Sequence, residues 1–140
     1  MAKTKLEDVL SLVTVFRGLS RKQLKALAGH WEVADFMADH AIVRKGDAGD
    51  AFYVVLTGQA KVMSGKRFLA RLLPGDHFGE IAVIDGGVRT ASVISETPMT
   101  LAILSQKDFR IAMREDPELA YHMMKELAKM FRRVDANLAE

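Results

Sequence analysis

Residues 72–95 read LLPGDHFGEIAVIDGGVRTASVIS, and they set Glu80 and Arg89 among glycines and apolar residues. Charged groups in such surroundings need partners. The guanidinium of arginine matches two phosphate oxygens, and an ionised glutamate, which only accepts hydrogen bonds, suits a sugar hydroxyl. Glu80 follows Gly79 and precedes a short apolar turn whose backbone N–H groups would attract an anion. The stretch therefore predicts a ribose-phosphate site, unless Glu80 and Arg89 pair with each other and only hold the loop.

Short apolar runs separated by glycines extend on both sides of this stretch, from about residue 31 to 104. The runs AIVRK, AFYVVL, AKVM, FLARLL, ASVIS and TLAIL have the length and alternation of β-strands. No crossover helix pattern interrupts them, and no GxGxxG motif follows a strand, which disfavours a doubly wound dinucleotide-binding fold. The pattern predicts a compact antiparallel sandwich or roll.

Helical periodicity marks the first 30 residues. A Thr4/Glu7 capping box precedes a first predicted helix. A second box, Ser20/Gln23, precedes another helix that Gly29 is placed to end.

Helical periodicity returns after residue 104. Ser105 and Asp108 are placed to cap a short helix, and Asp116-Pro117 restarts the chain as a cap followed by a favoured first helical residue. We expect the long helix to run from Pro117 towards Ala139. Its apolar residues form a wide stripe on one face, which favours packing against the roll or a partner helix.

Composition limits the classes of function. The chain has 140 residues, 49% hydrophobic and 27% charged, which predicts one soluble globular domain. With no cysteine, disulfides, thiolate metal sites and cysteine nucleophiles are excluded. No apolar stretch approaches the ~20 residues needed to span a bilayer, and we expect a cytoplasmic protein that binds no membrane. The net charge of +2 does not indicate a nucleic-acid partner.

The motifs together resemble the cyclic nucleotide-binding domains of kinase regulatory subunits, nucleotide-gated channels and bacterial catabolite activators. The family's phosphate-binding cassette has the form F-G-E-[LIM]-A-L-x-x-x-x-x-R-[ATS]-A-[TS]-V, and FGEIAV at 78–83 with RTASV at 89–93 matches it without gaps. Residues 46–58 look like the family's G-[DE]-x-G-[DE] hairpin region, and LPGD at 73–76 looks like its lead-in. One departure is Val88, where many members have proline.

The resemblance covers nearly the whole chain and implies its architecture. We expect an α+β, mainly β fold: an eight-stranded antiparallel, jelly-roll-like β-roll with N-terminal helices and C-terminal B and C helices. Residues 1–140 would form a single domain. Its parts would be helices in 1–30, the roll in 31–104 with the cassette at 78–93, and the B and C helices in 105–140.

The resemblance also implies roles for individual residues. Glu80 would accept the ribose 2′-hydroxyl, and Arg89 would clamp the cyclic phosphate. The rest of the expected anion cradle comprises Gly79, Ile81, Ala82, Thr90 and Ala91, with backbone N–H groups of Ile81, Ala82 and Thr90 donating.

Further residues are expected around the base. Val62, Leu69 and Ala70 would line the base pocket, or else be ordinary core residues. The Thr90 hydroxyl is associated in the family with tolerance of cGMP. Arg132 or Arg133 would lie over the base as a lid, unless both are solvated arginines near a fraying helix end.

These features predict a sensor of cAMP, and also of cGMP, that catalyses nothing, needs no cofactor or metal, and moves its C-terminal helix. Its partners would be the nucleotide and an effector protein, or a second copy bound through that helix. A metal-dependent cupin is disfavoured because the four histidines are scattered without an H-x-H motif. Since the chain ends at Glu140, we expect no DNA recognition helix and no direct contact with nucleic acid. The alternative is a vestigial or structural interaction module of the same fold that binds no nucleotide.

Overall fold

A computed structural model of the chain describes residues 6–11, 13, 16–79 and 87–139. Within these ranges lie four helices and eight strands. In chain order they are α1 (Leu6–Leu10), α2 (Arg21–Ala28), β1 (Glu32–Phe36), β2 (Ala41–Val43), β3 (Ala51–Thr57), β4 (Ala60–Ser64), β5 (Arg67–Leu72), β6 (His77–Phe78), β7 (Ser92–Ser95), β8 (Met99–Ser105), α3 (Gln106–Glu115) and α4 (Pro117–Ala139). The predicted fold class, a mainly β fold flanked by helices, is confirmed.

The eight strands form two four-stranded sheets in which all neighbours are antiparallel. The first sheet has the order β1-β8-β3-β6 and the second the order β2-β7-β4-β5. Each of the six sequence runs predicted as strands overlaps one of the observed strands.

Strand β3 shows how the core is divided. Phe52 and Val54 belong to the cluster that packs against the helices, whereas Ala51, Tyr53 and Val55 belong to the cluster between the two sheets. Successive side chains of a strand point to opposite faces, so a strand covered on both faces is apolar throughout. This explains the unbroken run AFYVVL.

The helices cover the outer face of the first sheet. Phe16, Trp31 and Phe52 meet edge to face with ring centroids 5.6–6.1 Å apart. Leu119 and Met123 of α4 are buried in the same cluster. The N-terminal helices and the start of α4 are therefore joined through one core.

The predicted helix caps are confirmed where the structure describes them. The Ser20 hydroxyl accepts from the Gln23 N–H at 3.1 Å, and the Gln23 side chain accepts from the Ser20 N–H at 3.0 Å. Ser105 caps α3, and the Asp116 carboxylate accepts from the Leu119 N–H at 3.2 Å. Helix α1 has only five residues, and Thr4 of its predicted capping box lies outside the described residues.

Candidate ligand-binding site

The backbone of Arg89 is hydrogen-bonded to the loop between β2 and β3. Its N–H donates to the Asp47 carbonyl at 2.7 Å, and its own carbonyl accepts from the Gly46 N–H at 2.9 Å. Ala48 and Val88 form an isolated antiparallel bridge beside these bonds. Because both backbone groups of Arg89 are held, the direction of its side chain is fixed by a segment more than 40 residues earlier in the chain.

The Arg89 side chain is buried, with only 5% of the residue exposed. Its Nη2 donates to the Ala51 carbonyl at 3.1 Å and lies 3.5 Å from Asp50 Oδ1. The guanidinium carbon lies 5.6 Å from the centre of the Tyr53 ring, within cation–π range. Asp50 is 84% exposed, so it offsets the charge of Arg89 only weakly.

The other terminal nitrogen of Arg89 has no hydrogen-bond partner in the part of the chain that the structure describes. Nη1 is buried and makes no hydrogen bond with any of the residues that the structure describes. A buried charged donor without an acceptor is costly, since it has lost its hydration and gained nothing in return. Nη1 is therefore a position where an anionic acceptor would be stabilised.

Gly79 lies directly against this nitrogen. Its φ is +90°, and a Cβ built on it would lie 2.6 Å from the Ala51 carbonyl oxygen and 2.7 Å from Arg89 Nη1. Only glycine accepts both the backbone conformation and the close approach. The glycine in the FGE segment thus brings the backbone after β6 up to the guanidinium.

The Arg89 side chain lies on the wall of a cavity of about 250 Å³. Its lining residues are Val43, Val62, Leu72, His77, Phe78, Gly79, Val88, Arg89, Thr90, Ala91 and Val93. Most of these are apolar, and Arg89 supplies the fixed cation. Such a cavity suits a ligand that combines an apolar or aromatic part with an anionic group.

Tyr53 supports the cavity from inside the roll. Its ring stacks on Phe78 with centroids 4.7 Å apart and nearly parallel planes. Burial raises the pKa of the Tyr53 hydroxyl, while the nearby charge of Arg89 acts in the opposite direction. Tyr53 is therefore uncharged at physiological pH, and its ring packs against the Arg89 guanidinium.

The structure brings together five of the residues predicted for the site. Gly79, Arg89, Thr90, Ala91 and Val62 all line the cavity. The predicted residues Glu80, Ile81 and Ala82 lie outside the described residues.

The remaining predicted residues are not at this cavity. Leu69 and Ala70 are exposed on β5, and Leu72 lines the cavity instead. Arg132 is exposed on α4 and does not line the cavity, and the side chain of Arg133 is not described. Their proposed contacts with a base stay predictions.

Several residues of the site were not singled out from the sequence. His77, Phe78 and Val93 belong to the quoted stretch 72–95, and Asp50 belongs to the 46–58 region, so a local signal existed for them. Val43 comes from β2 and is placed only by the pairing of that strand with β7.

Comparison with known proteins identifies the family. A sequence profile of the cyclic nucleotide-binding domain matches residues 33–116. The CRP-like cAMP-activated global transcriptional regulator of Mycobacterium tuberculosis is 26% identical over 140 aligned positions, covering 96% of this chain and 62% of that protein. The cAMP-dependent protein kinase regulatory subunit of Schizosaccharomyces pombe is 33% identical over 104 positions, covering 74% of this chain and 25% of that protein.

Solved structures agree with the sequence relatives. The N-terminal domain of a transcriptional regulator from Streptomyces coelicolor has a TM-score of 0.84 at 26% identity, covering 94% of this chain and 95% of that one. The Thermus thermophilus catabolite activator protein has a TM-score of 0.80 at 27% identity, covering 90% and 62%.

The two-sheet roll and the profile match over residues 33–116 define the class of domain. The chain belongs to the cyclic nucleotide-binding domain family. It spans 62% of the length of the M. tuberculosis regulator.

Two further findings concern metal ions and membranes. Among the described residues, no group of three or more histidine or acidic side chains is arranged to hold a metal ion. In the same part of the chain, no helix is both long and apolar enough to cross a membrane.

Proposed function

We propose that this chain is a sensor domain that binds a 3′,5′-cyclic purine nucleotide in the cavity and catalyses nothing. The observation that carries the proposal is Arg89 Nη1, a buried cationic donor without a partner among the described residues, on the wall of an otherwise mostly apolar cavity. The M. tuberculosis relative is cAMP-activated by name, and the regulatory domain of Toxoplasma gondii PKA, 28% identical with a TM-score of 0.71, was solved with cAMP. These likenesses favour cAMP as the first ligand to test.

In this proposal Arg89 binds the cyclic phosphate. Nη1 donates to a phosphate oxygen, while Nη2 keeps its contacts with Asp50 and the Ala51 carbonyl. Charge-assisted hydrogen bonds to phosphate are among the strong ones, particularly when the donor fork is already oriented. The backbone of Thr90, and by family resemblance that of Ile81 and Ala82, completes the anion cradle.

The sugar and base occupy the rest of the cavity. By family resemblance Glu80 accepts the ribose 2′-hydroxyl. Val62 and Leu72 offer apolar contact to the purine. Thr90 is exposed at the cavity, where its hydroxyl is available to a guanine. We therefore expect the site to bind cGMP in addition to cAMP. Thr90→Ala should then reduce affinity for cGMP more than for cAMP.

Helix α4 is the proposed output element. Tyr121, Met124 and Phe131 are exposed on it, although all three are large and apolar. Their spacing of three and seven residues puts them on one side of the helix, which suits a partner helix or an effector surface. A lid formed by Arg132 or Arg133 would slow amide exchange across residues 117–138 when nucleotide is bound.

Calorimetric titration with cAMP and cGMP tests the proposed binding. Arg89→Lys should weaken binding by about 10- to 100-fold, because a single ammonium cannot both keep the contacts of Nη2 with Ala51 and Asp50 and donate to the phosphate as Nη1 does. Arg67→Lys is the matched control, since Arg67 is exposed at the start of β5 and does not line the cavity. Absence of binding by the wild-type chain would favour the alternative, a structural interaction module with an empty pocket.

A further inference from the structure

We propose that α3 presents a docking surface for an acidic, helical segment of a partner protein. The basic stripe, defined as Lys107, Arg110 and Arg114, lies along the exposed side of this helix. The structure records no ion pair or hydrogen bond for these three side chains within its described residues. This surface is separate from the nucleotide cavity, and the proposal does not depend on nucleotide binding.

The three cations share one face. At 3.6 residues per turn, positions i, i+3 and i+7 fall within about 60° of the helix circumference and span about 10 Å of its length. The acidic residues of α3, Asp108 and Glu115, lie outside the face that carries the three cations. Glu115 contacts His30, which follows α2, at 3.6 Å. The basic stripe is therefore not neutralised by its own helix.

Helix stability does not account for the whole stripe. Arg114 in the last turn is favourable there, because the carboxyl end of a helix carries partial negative charge. Lys107 lies in the first turn, where the partial charge is positive and an acidic residue would be the stabilising choice. The helix dipole therefore does not explain Lys107.

An open groove of about 400 Å³ runs beside the stripe, lined by Gln106, Lys107, Arg110, Ile111 and Arg114. Half-buried Ile111, one turn from both Lys107 and Arg114, gives this groove an apolar edge beside the cations. The helix start is anchored to the roll, since the Gln106 N–H donates to the Asp50 carbonyl at 2.8 Å. The docking surface is thus held at a defined place next to the residue that contacts Arg89.

The chemistry of the stripe favours one kind of partner. A partner helix with glutamates at i, i+3 or i+4, and i+7 would match both the spacing and the sign of the charges, with an apolar residue meeting Ile111. Three cations are few for nucleic acid, where stable binding needs a larger cluster of phosphate contacts. The face also lacks the aromatic side chains typical of a membrane-binding helix.

The test uses a synthetic helical peptide that carries three glutamates at this spacing around one leucine. We expect binding that weakens as salt rises from 0.01 to 0.15 M, because the Debye length falls from about 30 to about 8 Å. Replacing all three cations by glutamine should weaken binding by about 10-fold or more. The matched control, Lys25→Gln with Lys66→Gln and Lys125→Gln, removes the same charge from exposed positions elsewhere and should bind as the wild type does.

A charge exchange supplies the second arm. The triple variant Lys107→Glu, Arg110→Glu, Arg114→Glu should prefer a peptide in which lysine replaces each glutamate. Three results would overturn the proposal: equal binding of the glutamine version of the peptide, equal weakening by the control triple variant, or tighter binding of a DNA duplex or of phosphatidylserine vesicles than of the acidic peptide. Urea unfolding of each variant, followed by the fluorescence of Trp31, verifies that all of them are folded.

Discussion

Replacing Gly79 by alanine is expected to destabilise the fold and damage the anion site together. The new Cβ would lie 2.6 Å from the Ala51 carbonyl oxygen and 2.7 Å from Arg89 Nη1. The carbonyl is backbone within β3, which is paired on both sides, so it cannot easily move away. The guanidinium would have to shift, although its buried position leaves little room.

Two costs add in this substitution. A non-glycine residue in the left-handed region costs about 1–2 kcal/mol. Forcing an extra methyl into packed surroundings costs about 1–3 kcal/mol more. We therefore expect Gly79→Ala to lower the free energy of unfolding by about 2–5 kcal/mol, and to weaken cAMP binding through the displaced guanidinium.

Comparison with Gly75→Ala isolates the second cost, because the Gly75 variant carries only the first. Gly75 has a similar φ of +94°, but a Cβ there would meet no heavy atom within 4 Å. Its expected loss is therefore only the conformational cost of about 1–2 kcal/mol. Urea titrations followed by Trp31, the single tryptophan and a buried one, measure both variants. Equal losses of stability in the two variants would refute the close approach of Gly79 to Arg89.

Three further predictions concern groups around the roll. Ser95 is fully buried, and its hydroxyl accepts from the His40 N–H at 2.9 Å and donates to the Met37 carbonyl at 2.6 Å, both in the β1–β2 turn. Ser95→Ala should therefore cost about 1–3 kcal/mol of unfolding free energy, and Ser92→Ala distinctly less. Burial raises the pKa of Tyr53 above 10.0, so its phenolate should form only above that pH. The signal to measure is the phenolate absorbance that wild type shows and Tyr53→Phe lacks, and ionisation at or below pH 10.0 would contradict the prediction. The contribution of Tyr53 to stability should fall as pH rises through the same range. The hydrogen bond from Arg71 lowers the pKa of Glu96 below 4.5. The stability advantage of wild type over Glu96→Gln should therefore be present above pH 4.5 and vanish as pH falls through the lowered pKa. An advantage that grows in acid would exclude the pairing.

Local patterns predicted the elements that carry strong periodicity or caps. Strand β3 was predictable because it is buried on both faces, and α2 because its capping box is written in four consecutive residues. Strand β1, with sequence EVADF, is largely exposed, and its pairing with β8 nearly 70 residues later defines it. Strand β6 has two residues, too few to show a period.

The site divides in the same way. Gly79, Arg89 and Thr90 were predictable because the cassette is contiguous in sequence. The base-pocket residues depend on strand register, which local sequence does not determine. Ala70 is paired with Val62 yet stays exposed on the edge strand β5, and Leu72, two residues further along the same face, reaches the cavity. A register irregularity between Val62 and Met63 shifts the rest of this pairing, and a bulge of this kind leaves no mark in composition.

Binding of a cyclic phosphate by Arg89 is observed most directly in the side-chain N–H resonances of isotope-labelled arginine, with the Arg89 signal assigned by its absence from Arg89→Lys. On titration with cAMP, the Arg89 resonances should shift more than those of any other arginine, because Nη1 gains an anionic acceptor that it lacks among the described residues. Arg67, exposed on β5, provides the internal reference and should stay in place. If cAMP at saturation leaves the Arg89 signal unmoved, or shifts only exposed arginines such as Arg67, the phosphate is not bound by Arg89 and the proposed site is wrong.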